Sequence, residues 1–171
     1  MMQMLQLGGM EILTDGIRTA DDDNPRGYYE LEAVKQTKQS ASWLEDAPGK
    51  AVKVIYWLLR DLPGTYQYRV LIMNRAVSEV TSSQRVMLDR RGETGADVSP
   101  AELQRIFVQE LQNTKAWLAK QLNFEVIDID YAKLLADAVS QAEEIRRFLG
   151  IDLDVEAMAG GVDRGLYRQR T

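Results

Sequence analysis

The sequence predicts one α/β domain spanning residues 1–171, a mainly parallel sheet sandwiched between helices. Apolar runs rich in β-branched and aromatic residues recur at 50–59, 68–74 and 124–129. Segments with helical periodicity alternate with them. Those segments are long enough to carry the chain back for parallel pairing.

In chain order, Met1, Met2, Met4, Leu5 and Leu7 have helical spacing, and Gly8-Gly9 is a helix stop. No capping residue precedes Met1, so the expectation is a helix whose first turn lies upstream. Glu11 to Thr14 reads as a short strand. Residues 18–27, RTADDDNPRG, form a polar loop. Its adjacent aspartates lack the alternating spacing of a calcium loop and read as a solvated turn. Tyr28 to Lys38 reads as a helix, and Ser42 to Ala47 as a turn or short helix. Lys50 to Leu59 is expected as a strand, then a loop over Asp61 to Gly64. Tyr68 to Asn74 is the next strand, and a helix to about Arg91 follows it. That helix has Val77, Val80, Met87 and Leu88 on one face.

The clearest start signal is Ser99-Pro100-Ala101-Glu102, a capping box with proline in the first helical position. Leu103, Ile106, Phe107, Leu111 and Leu118 form the apolar face of the helix that follows. Phe124 to Ile129 is a strand, Tyr131 to Leu149 one helix stopped by Gly150, and Asp154 to Ala159 a short helix. Three strong strands and one weak one make a thin sheet for this class.

Composition narrows the chemistry. Apolar residues are 45% and charged residues 27%, as in ordinary globular chains. With 26 acidic and 21 basic residues the net charge is -5, which argues against broad nucleic-acid binding. Cysteine is absent, excluding thiolate nucleophiles and disulfides. Histidine is absent as well, so acid–base work falls to carboxylates, lysine or tyrosine. No apolar stretch is long enough to span a bilayer, and the expected compartment is the cytoplasm.

Arg75 stands at the end of the 68–74 strand, where open α/β sheets bind ligands. On position alone the favoured reading is a solvated strand end or the partner of a nearby carboxylate. Three segments change that balance: Arg75 with Ser83 eight residues on, NPRGYYE at 24–30, and FEVIDIDYAKLLAD at 124–137 leading to Phe148-Leu149-Gly150. In order and spacing they resemble the bacterial branch of the P-loop sulfotransferase family, across nearly the whole chain. The resemblance implies a P-loop nucleotide hydrolase-like three-layer fold. It also implies transfer of a sulfuryl group from 3′-phosphoadenosine 5′-phosphosulfate (PAPS) to a hydroxyl or amine. Arg75 and Ser83 would bind the 3′-phosphate of PAPS, or of its product adenosine 3′,5′-bisphosphate. The acceptor would be a small molecule or carbohydrate, and no metal is implied.

Two departures qualify the resemblance. The family's first strand and glycine-rich phosphosulfate loop have no counterpart in the sequence. The expectation is a chain lacking that first strand and loop, with impaired activity and an exposed sheet edge open to self-association. The second departure concerns the base. Lys53 sits in a strand comparable to the family's, but Ile55 occupies the place of the histidine used by animal members. Glu30 or Glu32 would then deprotonate the acceptor, or would merely favour the first turn of a helix. Lys53 would stabilise transferred charge or solvate a strand end. Trp43 is either a packing residue or part of an acceptor platform. The alternatives are a non-catalytic module of the same fold and, less favoured, a P-loop small-molecule kinase, for which no Walker lysine is present.

Overall fold

The computed structural model describes residues 1–21, 24–76, 99–163 and 165. Its central feature is a parallel pair of strands, β1 (Tyr68–Asn74) and β2 (Phe124–Asp130), in register from Tyr68 opposite Phe124 to Asn74 opposite Asp130. Both coincide with the apolar runs of the sequence. Helices surround them: α1 (Met2–Leu7), α2 (Pro100–Leu118), α3 (Tyr131–Ala136), α4 (Ala138–Leu149) and α5 (Val155–Gly160). The protein is therefore of the mixed α/β class.

Side chains alternate across a strand, and the two faces of the pair bury different partners. Ile72 and Phe124 pack with Leu118 of α2 and with Leu59. On the other face, Leu71, Met73, Ile127 and Ile129 pack among Met4, Ile145, Leu149 and Met158, which belong to α1, α4 and α5. Ile129, Ile145 and Met158 are fully buried there. A third cluster, around Val34, Trp43 and Leu44, lies under the loop-rich segment before β1.

Local signals account for the helix ends. The Ser99 hydroxyl accepts from the Glu102 backbone N–H at 3.3 Å, the cap expected for α2. Gly150 closes α4 with φ +64°, a left-handed conformation that favours glycine.

Three expectations are corrected. Lys50 to Leu59 is not a strand among the described residues. One parallel bridge, Ile12 with Ala51, is all the pairing that this run and the weak Glu11–Thr14 strand show. Beyond it, Tyr56–Asp61 is a 3₁₀ helix. The reason is a change of apolar period. Val52 and Val54 alternate in extended chain, whereas Tyr56, Leu59 and Leu62 then follow at intervals of three, the repeat of a 3₁₀ helix. The helix expected over Tyr28 to Lys38 contracts to a 3₁₀ turn at Glu32–Gln36. Tyr29 takes φ +53° and Leu31 is extended, which blocks helical hydrogen bonding upstream. Finally, the helix expected from Tyr131 to Leu149 is broken at Asp137. Its backbone is non-helical and its carboxylate accepts from the Ser140 N–H at 3.1 Å, so it caps α4 instead of continuing α3.

The described sheet thus has two strands, each with one edge unpaired among the described residues. No helix among the described residues is long and apolar enough to cross a membrane.

One buried hydroxyl lacks a partner among the described residues. The Thr114 hydroxyl on α2 is fully buried and has no hydrogen-bond partner among the described residues. A stranded hydroxyl costs about 1–3 kcal/mol. Thr114→Val keeps the shape and removes the donor, so it is expected to raise the urea midpoint at constant m-value. A lower midpoint would mean that the hydroxyl has a partner.

Candidate functional site

The carboxyl ends of parallel strands are where open α/β sheets present side chains to ligands. Here that edge carries Asn74 of β1 with Arg75 just beyond it, and Asp128 and Asp130 of β2. Asn74 and Asp128 lie on the α2 face. The Asn74 amide donates to Asp128 Oδ1 at 2.7 Å, and Lys115 of α2 donates to Asn74 Oδ1 at 3.1 Å. Lys115 also pairs with Asp128. Burial pushes the Asp128 carboxyl up, but the hydrogen bonds from Lys115 and Asn74 and the Lys115 charge outweigh it and hold it below the usual carboxylate range. Asp130 is turned away into a cap, accepting from the Lys133 N–H at 2.9 Å.

Arg75, the residue after β1, lies against Tyr131, the first residue of α3. Its guanidinium carbon lies 5.3 Å from the centroid of the Tyr131 ring, a cation–π contact that orients the planar donor fork at the strand end. Ser83, the expected second ligand of a 3′-phosphate, lies outside the described residues. So do most of the helix expected to carry it, the Arg90-Arg91 pair, and Arg164, Arg168 and Arg170 of the tail.

A second charged cluster gathers Glu30 and Lys53. Lys53 Nζ donates to Glu30 Oε1 at 3.2 Å and to the Tyr28 carbonyl at 3.0 Å. Arg18 Nη1 reaches both Glu30 oxygens, at 3.3 and 3.4 Å. The Arg18 guanidinium stacks on Tyr28, its central carbon 3.4 Å from the ring centroid. That stacking accounts for its buried Nη2, which has no hydrogen-bond acceptor among the described residues. The Tyr28 hydroxyl is held by both carboxylate oxygens of Asp21, at 2.8 and 2.7 Å. Burial pushes the Glu30 carboxyl up, but Lys53, then Arg18, more than reverse it, and the net shift is downward. Glu30 is therefore held as the carboxylate, with its basicity reduced.

Glu32 does not join this cluster. Its carboxylate pairs with Lys35 at 2.7 Å, and both side chains are more than half exposed. Arg26, from the NPRGYYE segment, bonds Gln3 at 2.8 Å, the Gly161 carbonyl at 3.0 Å and Asp163 at 2.6 Å, tying the loop to α1 and to the end of α5. Trp43 is a packing residue: its ring is buried and its N–H donates to Thr37 Oγ1 at 3.1 Å.

Comparison with protein-family models, with curated proteins and with solved structures returned no match.

Two residues had no signal in the sequence. Arg18 lies in a polar loop, where arginine is unremarked. Lys115 lies on the flank of an amphipathic helix, where lysine is ordinary. Asn74 and Asp128 stand within recognisable strands, and alternation puts both on one face once the strands are known to pair in parallel. No group of three or more carboxylates suited to a metal ion occurs among the described residues.

Proposed function

We propose that the chain is a sulfotransferase-like nucleotide-binding domain holding the 3′-phosphate of PAPS, or of adenosine 3′,5′-bisphosphate, at the carboxyl end of β1. The observation that carries the reading is the parallel β1–β2 pair with Arg75 at its carboxyl end, oriented by Tyr131. Arginine's planar fork suits two oxygens of one phosphate. Helices packed against both faces of the strand pair support the finer fold assignment, a three-layer sandwich of the P-loop type. In the catalytic version, Glu30 accepts the acceptor's proton and Lys53 stabilises charge on the sulfuryl group, with a small molecule or carbohydrate as acceptor. The setting remains the cytoplasm.

A second reading is favoured by the Glu30 cluster: a binding module of the same fold that does not transfer. A general base gains from a carboxyl pKa raised toward neutrality, and the pairing with Lys53 and Arg18 works the other way.

Calorimetric titration with adenosine 3′,5′-bisphosphate tests the binding reading. The wild type is expected to bind, and Arg75→Ala to bind about 10- to 100-fold more weakly, the effect of losing a charge-assisted pair. Equal affinities would refute the site. Release of adenosine 3′,5′-bisphosphate from PAPS in the presence of hydroxyl and amine acceptors then separates the enzyme from the module.

A further inference from the structure

The Glu30 carboxylate is loosely held between two cations that another residue fixes in place. Its contacts are 3.2 Å to Lys53 Nζ and 3.3 and 3.4 Å to Arg18 Nη1. All are longer than the roughly 2.7–2.9 Å of a strong charge-assisted hydrogen bond. A single nitrogen of Arg18 serves both oxygens, so the two parallel bonds that a guanidinium can make to a carboxylate are not formed. Tyr28 holds both cations more firmly. Its ring carries the Arg18 guanidinium at 3.4 Å, and its carbonyl accepts from Lys53 at 3.0 Å. Tyr29, next in the chain, takes φ +53°, a region that is strained for a bulky side chain. That turn presents the Tyr28 carbonyl and the Glu30 carboxylate to one ammonium.

The neighbouring charges are engaged elsewhere. Asp21 takes the Tyr28 hydroxyl, and Lys35 pairs with Glu32. Asp15 accepts from the backbone N–H groups of Ile17 and Glu32. Two cations therefore share one carboxylate and meet at the same oxygen, Glu30 Oε1. The Arg18 and Lys53 side chains are 35% and 41% exposed, so the cluster is open to solvent.

We propose that Arg18 and Lys53 form the subsite for the sulfuryl oxyanion, and that Glu30 is its resting occupant, displaced when that group arrives. The inference rests on the sulfotransferase reading and deepens it, adding Arg18 as a second ligand beside Lys53. A guanidinium fork and an ammonium point charge both suit a tetrahedral oxyanion. Displacement also restores Glu30 as a base. Burial pushes its carboxyl up, but Lys53 and Arg18 outweigh that and hold it down. Once both cations turn to the oxyanion, their pull is lost and the like charge of the newcomer adds to the rise.

The test is a carbon-13 NMR titration of Glu30 in the whole chain, with inorganic sulfate as probe and chloride at equal ionic strength as control. Sulfate is expected to raise the Glu30 midpoint by about one pH unit, and chloride to leave it in place. Arg18→Met and Lys53→Met should each abolish the sulfate response, and Arg18→Lys should keep part of it. Lys35→Met, which removes a cation paired with Glu32, should keep all of it. Equal responses to sulfate and chloride, or a response that survives the loss of Arg18 or Lys53, overturn the subsite. A response to inorganic phosphate and none to sulfate overturns the sulfuryl assignment. If Arg75→Ala weakens binding of adenosine 3′,5′-bisphosphate while sulfate leaves Glu30 unmoved, the nucleotide reading stands and this inference falls. If sulfate moves Glu30 but the bisphosphate does not bind, the oxyanion subsite stands and the nucleotide reading falls.

Discussion

Ile129→Ala is expected to lower the stability of the protein by about 2–5 kcal/mol, the range for truncating a fully buried branched side chain. Ile129 has no exposed surface and stands on the β2 face that meets α1, α4 and α5. Its neighbours Met4, Leu134, Ile145 and Leu149 come from three separate helices. They cannot all move inward to fill the space, so a cavity remains and the upper half of the range applies. Domains are stable by only about 5–15 kcal/mol, so one such truncation removes a large share. Urea unfolding should report it as a lower midpoint at constant m-value. Val126→Ala, on the same strand but 37% exposed, is the control and should cost much less. Similar losses at both positions would mean that the core is not where the structure has it.

Gly8→Leu is the second large effect. Gly8 has an ordinary backbone, φ -73°, so any residue can adopt its conformation. The obstacle is space. A Cβ there would lie 2.5 Å from Met158 Cγ and 3.0 Å from its Sδ. Met158 is itself fully buried. Overpacking of this kind costs about 1–3 kcal/mol, and a leucine brings three further carbons into the same gap. Gly8→Leu is therefore expected to unfold several degrees lower in calorimetry. Adding Met158→Ala should recover part of the loss, because the truncated neighbour makes room. The coupling separates crowding from backbone effects. Gly160→Ala is the matching control: nothing lies within 4 Å of its Cβ position, and alanine favours helix. If Gly8→Leu were as harmless as Gly160→Ala, the packing of α1 on α5 would be wrong.

How far the fold was legible depended on the reach of each signal. The strands at Tyr68–Asn74 and Phe124–Asp130 declare themselves by unbroken apolar runs, and Ser99 and Gly150 by cap chemistry. Those signals act within a few residues. The segment from Lys50 to Leu59 shows the opposite case. Its residues favour a strand, and the change of apolar period at Tyr56 becomes readable only once tertiary contacts show that Leu59 turns into the sheet core while Trp57 stays 57% exposed. Helical periodicity runs on through Asp137, but an aspartate is also a strong cap, and the cap prevails. In the candidate site, Arg75 was legible because a strand end is a local feature. The partners of Glu30 were not, since Arg18 and Lys53 lie 12 and 23 residues away across irregular chain. Lys115 meets Asn74 only because β1, α2 and β2 assemble, 41 residues apart in sequence.

The packing of α1 on α5 has a consequence for synthesis. Met158 leaves the ribosome more than 150 residues after Met4, with which it shares a core. Ile129 and Ile145 of that core follow Met4 by more than 120 residues. Until α4 and α5 are made, the apolar face of α1 has no native partner, and β1 waits for β2, more than fifty residues downstream. Contacts of such long sequence separation close slowly. The nascent chain therefore carries α1 with an uncovered apolar face while the intervening residues are added. That makes the α1 segment a natural client for chaperones acting at the tunnel exit.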